Sequence, residues 1–266
     1  MRPILTLLSV LFISSPAYAA ELPEMDAEAI IAAVNTRDDG QQLTRKFKVE
    51  LTNRSGKTRT EEMVAFRRYF GDEKRTVIFY TEPTRVRGTG FLTFDYADPK
   101  ADDDQWLYLP ALRKVRRISA SDRGDYFLGT DFTYEEIKKE QKVQDTDYVF
   151  ESVGTGMLDG SEVYIVKGIP ANDDTARELG VSYVVWRIDP EIWMTRKTEY
   201  YDRNGNLART ITLEGYDTID GYLTATKLRA ENHKTGHSSV FTFDDSDYET
   251  DVSDRIFSQA RLRRGL

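Results

Sequence analysis

Apolar and polar residues alternate along most of this chain with the period of two that a half-buried β-strand requires. Phe47, Val49 and Leu51 alternate with Lys48, Glu50 and Thr52. Asn53-Arg54-Ser55-Gly56 reads as a turn, and Thr58 to Phe70 returns as a strand. Gly71-Asp72 turns the chain into a strand over Arg75 to Thr81, and Phe91 to Tyr96 and Trp106 to Leu109 follow, separated by the acidic loop Asp98 to Asp104. Arg113 to Ile118 extends the second of these. The second half predicts seven more strands: Tyr148 to Val153, Val163 to Gly168, Val181 to Ile188, Thr195 to Asp202, Ala208 to Tyr216, Tyr222 to Ala230 and Ser238 to Phe243. Asn204-Gly205 is the strongest hairpin signal, with Asp159-Gly160, Asp220-Gly221 and Thr235-Gly236 weaker.

The pattern changes in two places. Ala27, Ile30, Ile31 and Val34 recur at helical spacing after Asp26, which can cap a helix. Thr133-x-x-Glu136 has the spacing of a capping box and opens a short helix. Strands joined by short turns, with no linker or repeat among them, favour one curved antiparallel sheet or barrel, mainly β with a few helices. A sheet that stops short of closure leaves a concave apolar face, and the 27–34 helix suits the task of covering it. A cavity between the two would be an apolar ligand site.

The N-terminus narrows the compartment. Arg2, an apolar run from Ile4 to Ile13 and Ala17-Tyr18-Ala19 form the n-region, h-region and cleavage site of a secretory signal peptide over residues 1–20. The run is too short to span a bilayer, which takes ~20 apolar residues. Residues 21–266 then form the mature domain, exported to a periplasm. With 31% charged residues and a mean hydropathy of −0.55 that domain reads as soluble. It has no cysteine, so it carries neither disulfides nor a lipid anchor, and its stability rests on a hydrophobic core. The net charge of −8 gives no general attraction to nucleic acid or to an anionic membrane.

Candidate chemistry is sparse. The two histidines, His233 and His237, flank a Thr-Gly turn, with no third ligand nearby for a metal. Gly88-x-Gly90 leads into a strand rather than a helix, so it is no phosphate loop. The run Asp102 to Asp104 lacks the spacing of a calcium loop, and Asp244, Asp245 and Asp247 read as another solvated acidic stretch. No catalytic constellation, metal or cofactor is expected. Aromatic residues crowd the central stretch instead: Phe91, Phe94, Trp106, Tyr108, Tyr126, Phe127, Phe132 and Tyr134. Sheet core and ligand lining both account for them. Arg113, Lys114, Arg116 and Arg117 form either a charged strand edge that resists aggregation or a patch for lipid head groups or an acidic partner.

Three segments carry a resemblance: Gly88 to Tyr96, Asp103 to Ile118 and Gly129 to Glu136. In order and local spacing they resemble the outer membrane lipoprotein-sorting protein family, the LolA-like proteins found with RND-type exporters. The resemblance implies an unclosed antiparallel β-barrel under a helical lid, with a hydrophobic cavity that carries lipid or lipoprotein acyl chains across the periplasm. LolB and the stress sensor RseB share that fold, but the lipidation cysteine of LolB is missing, so a soluble carrier is the closer analogue. The central motifs are not those of LolA itself, and no catalytic residue carries over. In such a carrier Ile30, Ile31, Val34, Phe91, Phe94, Trp106, Tyr108, Phe127 and Phe132 are the cavity and lid residues, with 27–34 and 127–134 as lids. Arg113, Lys114, Arg116 and Arg117 would dock an inner-membrane RND-type exporter or meet the membrane transiently. A sensor or adaptor regulating an envelope partner would use the same pocket, and a hydrolase is the third reading.

Overall fold

The computed structural model describes residues 22–98 and 101–266; the expected signal peptide at 1–20 lies outside the described residues. Helix α1 (Ala27–Thr36) precedes a first meander of six strands: β1 (Gln42–Thr52), β2 (Thr58–Phe70), β3 (Glu73–Glu82), β4 (Gly90–Asp95), β5 (Asp104–Leu109) and β6 (Lys114–Ile118). After helix α2 (Tyr134–Lys139) come β7 (Tyr148–Leu158), β8 (Ser161–Pro170), helix α3 (Asp173–Leu179), β9 (Val181–Asp189), β10 (Met194–Asp202), β11 (Leu207–Ile219), β12 (Tyr222–Asn232) and β13 (His237–Asp247), with helix α4 (Gln259–Arg264) at the C-terminus.

All thirteen strands belong to one antiparallel sheet in the order β6-β5-β4-β3-β2-β1-β13-β12-β11-β10-β9-β8-β7. The first meander runs outward from β1 and the second runs inward to β13, so β1 and β13 pair at the seam, with Phe47 opposite Phe243 and Val49 opposite Phe241. The two outermost strands, β6 and β7, do not pair, and the sheet is not closed into a barrel. That order also dictates what covers it. The chain leaves β6 at one edge and must re-enter at β7 on the opposite edge, so residues 119–147 cross the sheet.

This crossing segment is a plug. It makes a one-turn 3₁₀ helix at Phe127–Gly129 and then α2. Thr133 caps α2 as its spacing predicts: its hydroxyl accepts from the Glu136 N–H, and the Glu136 carboxylate accepts from the Thr133 N–H at 2.8 Å. Phe127, Phe132 and Tyr134 are buried against Phe91, Tyr80 and Phe241 of the sheet's inner face. Ring centroids lie 5.2 Å apart for Phe91 and Phe127 and 4.7 Å for Phe132 and Phe241, within the range of favourable aromatic pairing.

Two further clusters complete the core. Ile30, Ile31 and Val34 of α1 pack with Val166, Val184 and Trp186 of β8 and β9. On the outer face, Leu262 of α4 is fully buried beside Val77, Phe79 and Leu92. Gly90 permits this docking, since a Cβ there would lie 2.7 Å from the Leu262 side chain.

Helices α3 and α4 are absent from the sequence reading. The 113–118 stretch also differs from expectation. It does not prolong β5 but folds back antiparallel to it as β6, through a turn in which Arg113 adopts φ 51°. The other predicted strands and all four predicted hairpin turns are present.

Candidate functional site

A cavity of about 140 Å³ lies between the plug and the middle of the sheet. Its apolar lining includes Leu43 and Phe47 of β1, Ile78 of β3, Phe241 and Phe243 of β13, and Phe132 of the plug. Its charged lining is Arg37, Asp39, Arg45, Arg67, Glu136, Glu140 and Lys142. A dry hollow of ~150 Å³ accepts a benzene-sized group, so this space accommodates a short hydrocarbon segment with the plug in place and a whole acyl chain only when the plug moves.

The charged lining arises from the strand period. In β1 the inward positions run Leu43, Arg45, Phe47, Val49, Leu51; in β2 they run Met63, Ala65, Arg67, Tyr69. Arg45 and Arg67 therefore stand where the alternation calls for an apolar residue. In β3 the buried Lys74 does the same ahead of Thr76 and Ile78. These cations face the carboxylates of the plug and of the loop before β1.

Asp39 is the most connected anion there. It pairs with Arg67 at 2.6 Å and accepts from Lys142 at 3.0 Å and from the Tyr69 hydroxyl at 3.1 Å. The Arg67 guanidinium also donates to the Asp39 and Gly40 carbonyls. Gly40 holds φ 76°, and a Cβ on it would sit 2.6 Å from the Tyr248 ring, so only glycine presents that carbonyl. Glu140 ends α2 in a left-handed conformation (φ 53°) and turns its carboxylate to 3.5 Å from Arg45 and 3.6 Å from Arg67. Lys139 pairs with Asp95 at 2.7 Å, and Lys138 with Glu135 at 2.9 Å and with Asp103. Burial alone would raise the Asp39 carboxyl, but Arg67 and Lys142 outweigh it and hold it below its ordinary value. Arg45, Arg67 and Lys74 do the same to Glu140. Burial lowers Arg45 from its ordinary range despite the Glu140 charge beside it.

The sequence-predicted site residues do not meet at this cavity. Phe132 alone among them lines it. Phe91 and Phe127 are fully buried in the neighbouring aromatic cluster, where each fills the space the other leaves. Ile30, Ile31 and Val34 are sealed against β8 and β9, so α1 seats its whole apolar stripe in core instead of over the hollow. Phe94, Trp106 and Tyr108 belong to the outer face with α4, because the alternation that turns Phe91 and Leu107 inward turns these three outward. Lys114, Arg116 and Arg117 are exposed on edge strand β6 and Arg113 on the turn before it. Arg116 meets Asp122 at 3.3 Å and Arg117 meets Asp104 at 2.6 Å.

The acidic loop is less solvated than its sequence implies: Asp103 pairs with the buried Lys138 and accepts from the Tyr96 N–H. The histidines have separate partners, His233 with Thr210 at 2.8 Å and His237 with Asp131 at 2.6 Å. Ser239 shares Asp131, donating to it at 2.6 Å. Its proton is thus directed at the carboxylate and not at an imidazole, so these three residues do not form a nucleophile–base relay. Among the described residues no cluster of three His, Asp or Glu could hold a metal, and no helix is long and apolar enough to cross a membrane.

A family model described as "Uncharacterized protein" matches residues 72–264. A DUF1329 family protein from Desulfovibrio piger is 26% identical over 89% of this chain and 97% of its own, with a TM-score of 0.81. A domain from Vibrio parahaemolyticus named for outer membrane lipoprotein sorting is 28% identical over 90% of this chain and 98% of its own, with a TM-score of 0.79. A LolA superfamily protein from Nitrosomonas europaea, 20% identical over 90% of this chain and all of its own, shares the fold at a TM-score of 0.67. No curated protein matches.

Proposed function

We propose that this chain, which belongs to the DUF1329 family, is a periplasmic carrier that takes the acyl chain of a lipid or lipoprotein into the hollow beneath its plug. The observation that carries this reading is the cavity itself: a partly apolar hollow in a sheet that stays open, roofed by a segment that ion pairs and aromatic packing hold in place. Each methylene transferred from water into such a space gains ~0.8 kcal/mol, so a chain that displaces part of the plug replaces the apolar contacts it breaks. Residues 21–266 act as one carrier unit, delivering cargo between envelope components with an inner-membrane RND-type exporter. No step in this role requires catalysis.

The shared fold with a lipoprotein-sorting domain supports the reading, and the placement of the charged groups adds to it. Cations and phenylalanines line the same hollow, with the Arg45 guanidinium 4.1 Å from the Phe243 ring centre, so one site offers an amphiphile an apolar wall for its tail and charge for its head.

The test is transfer. Protein loaded with a fluorescent acyl lipid is mixed with acceptor vesicles, and emission is followed as the lipid leaves. A carrier delivers its load at a rate that rises with protein concentration. Retention of the lipid, together with a lipid-dependent change in affinity for an envelope partner, would instead identify a sensor.

A further inference from the structure

Arg45 is a cavity cation whose Nε is buried with no hydrogen-bond partner among the described residues. Its one carboxylate neighbour, Glu140, stands at 3.5 Å, and its guanidinium carbon lies 4.1 Å from the centre of the Phe243 ring. The Nε of Arg67, whose side chain is 3% exposed, is likewise buried and unpartnered. Glu140 stands 3.6 Å from Arg67 as well, beyond hydrogen-bond length. Two guanidiniums thus converge on Glu140; Arg67 is already held by Asp39, while among the described residues Arg45 has no carboxylate closer than 3.5 Å although a guanidinium readily takes one with two parallel bonds. The same arginines adjoin Phe47, Phe243 and Leu43, the apolar wall of the cavity.

We propose that Arg45 and Arg67 form a binding site for the carboxylate head of a single-chain amphiphile, a long-chain fatty acid, and that Glu140 occupies this site in its absence. This deepens the carrier reading and rests on it. Glu140 lies on the residue that ends α2, so the ligand head and the plug compete for the same two cations. An incoming carboxylate releases Glu140, and release of Glu140 removes one of the ties that hold the plug closed. A neutral amphiphile of the same length finds the same apolar wall but gains nothing from the arginines and does not displace Glu140. Recognition of the head and opening of the lid are then one event.

The experiment measures binding of dodecanoate and of dodecanol to the full mature chain by calorimetry, for wild type, Glu140→Gln and Arg45→Gln, with folding of each checked by circular dichroism. The site predicts that wild type prefers dodecanoate, that Glu140→Gln tightens dodecanoate about tenfold with dodecanol unchanged, and that Arg45→Gln removes the preference. Equal affinity for the two amphiphiles in all three proteins would overturn the carboxylate site while leaving the carrier reading intact. Failure of wild type to bind either would overturn the carrier reading itself. If Glu140→Gln does not fold, the loss or persistence of the preference in Arg45→Gln decides the question alone.

Discussion

Arg209 of β11 grips Glu136 of α2 with two parallel hydrogen bonds of 2.6 Å. The same guanidinium donates to the Asp131 carbonyl at 2.8 Å and lies over the Tyr200 ring at 4.0 Å. One side chain thereby fastens both the aromatic part of the plug and its helix to the second meander. Glu136 is also the reciprocal member of the Thr133 capping box, so loss of the fork disturbs the start of α2 too. Arg209→Ala leaves the half-buried Glu136 carboxylate without its partner, a change that costs up to about 3 kcal/mol in fully buried pairs. The expected result is a lower melting temperature together with faster uptake of an apolar fluorophore. Arg209→Lys restores the charge but not the fork and should recover only part of the loss.

Phe132 joins the plug to the cavity. Its ring meets Phe241 and borders the hollow. Phe132→Ala removes that contact and enlarges the space, so stability should fall by about 3 kcal/mol while the protein accepts a bulkier apolar probe. Denaturant unfolding and probe titration read the two effects separately. A loss of stability with no gain in probe capacity would mean that the plug collapses into the space instead.

Acid should loosen the plug. Asp39, Asp95 and Glu140 all titrate below their ordinary values of 3.8 and 4.5, because burial, which works against ionisation, is outweighed by Arg67, Lys74, Arg45 and their lysine neighbours. A carboxyl whose folded value lies below its unfolded value contributes stability that is complete above the unfolded value and disappears as pH falls through the folded one. The melting temperature should therefore decline steeply below the ordinary carboxyl value of 4.5, and Glu140→Gln should show a shallower decline there than wild type. Parallel acid limbs for the two proteins would contradict the assigned role of Glu140.

The alternation of Phe47, Val49 and Leu51 was legible, and continued one step toward the N-terminus it reaches Arg45. Met63 and Ala65 lead to Arg67 in the same way. A charged residue in an inward row is therefore a signal for this cavity that the sequence itself carries. Aromatic density misleads here because a sheet has two faces. Phe91 and Phe94 share a strand, yet one faces the plug and the other faces α4. Which face of each strand met the hollow depended on the path of residues 119–147 across the sheet, and that path follows from the strand order, which no local pattern encodes. Helix α4 was hidden for a related reason: Gln259 to Arg264 has one buried apolar residue, Leu262, too few to set a period. By contrast, the α2 cap and the hairpin turns were readable because their signals are local.

The basic edge should act apart from the cavity. Arg116 and Arg117 are exposed on an outermost strand; Arg116 pairs with Asp122 at the start of the crossing segment and Arg117 with Asp104, and neither lines the cavity. Arg116→Glu with Arg117→Glu should weaken capture of an acidic envelope partner, measured by pull-down, while dodecanoate affinity stays unchanged. An unaltered pull-down would remove this strand from the docking surface.

The occupant of the cavity is the most direct question. Native mass spectrometry of wild-type protein gently released from periplasm, followed by extraction and lipid identification, should show a mass adduct that resolves to a molecule bearing an acyl chain. Ala225 lines the hollow from β12, and Ala225→Phe, which fills it, should fold and lose the adduct. An adduct that survives Ala225→Phe, or a wild-type protein that carries no acyl-bearing molecule under these conditions, would contradict a cavity built to hold a hydrocarbon tail.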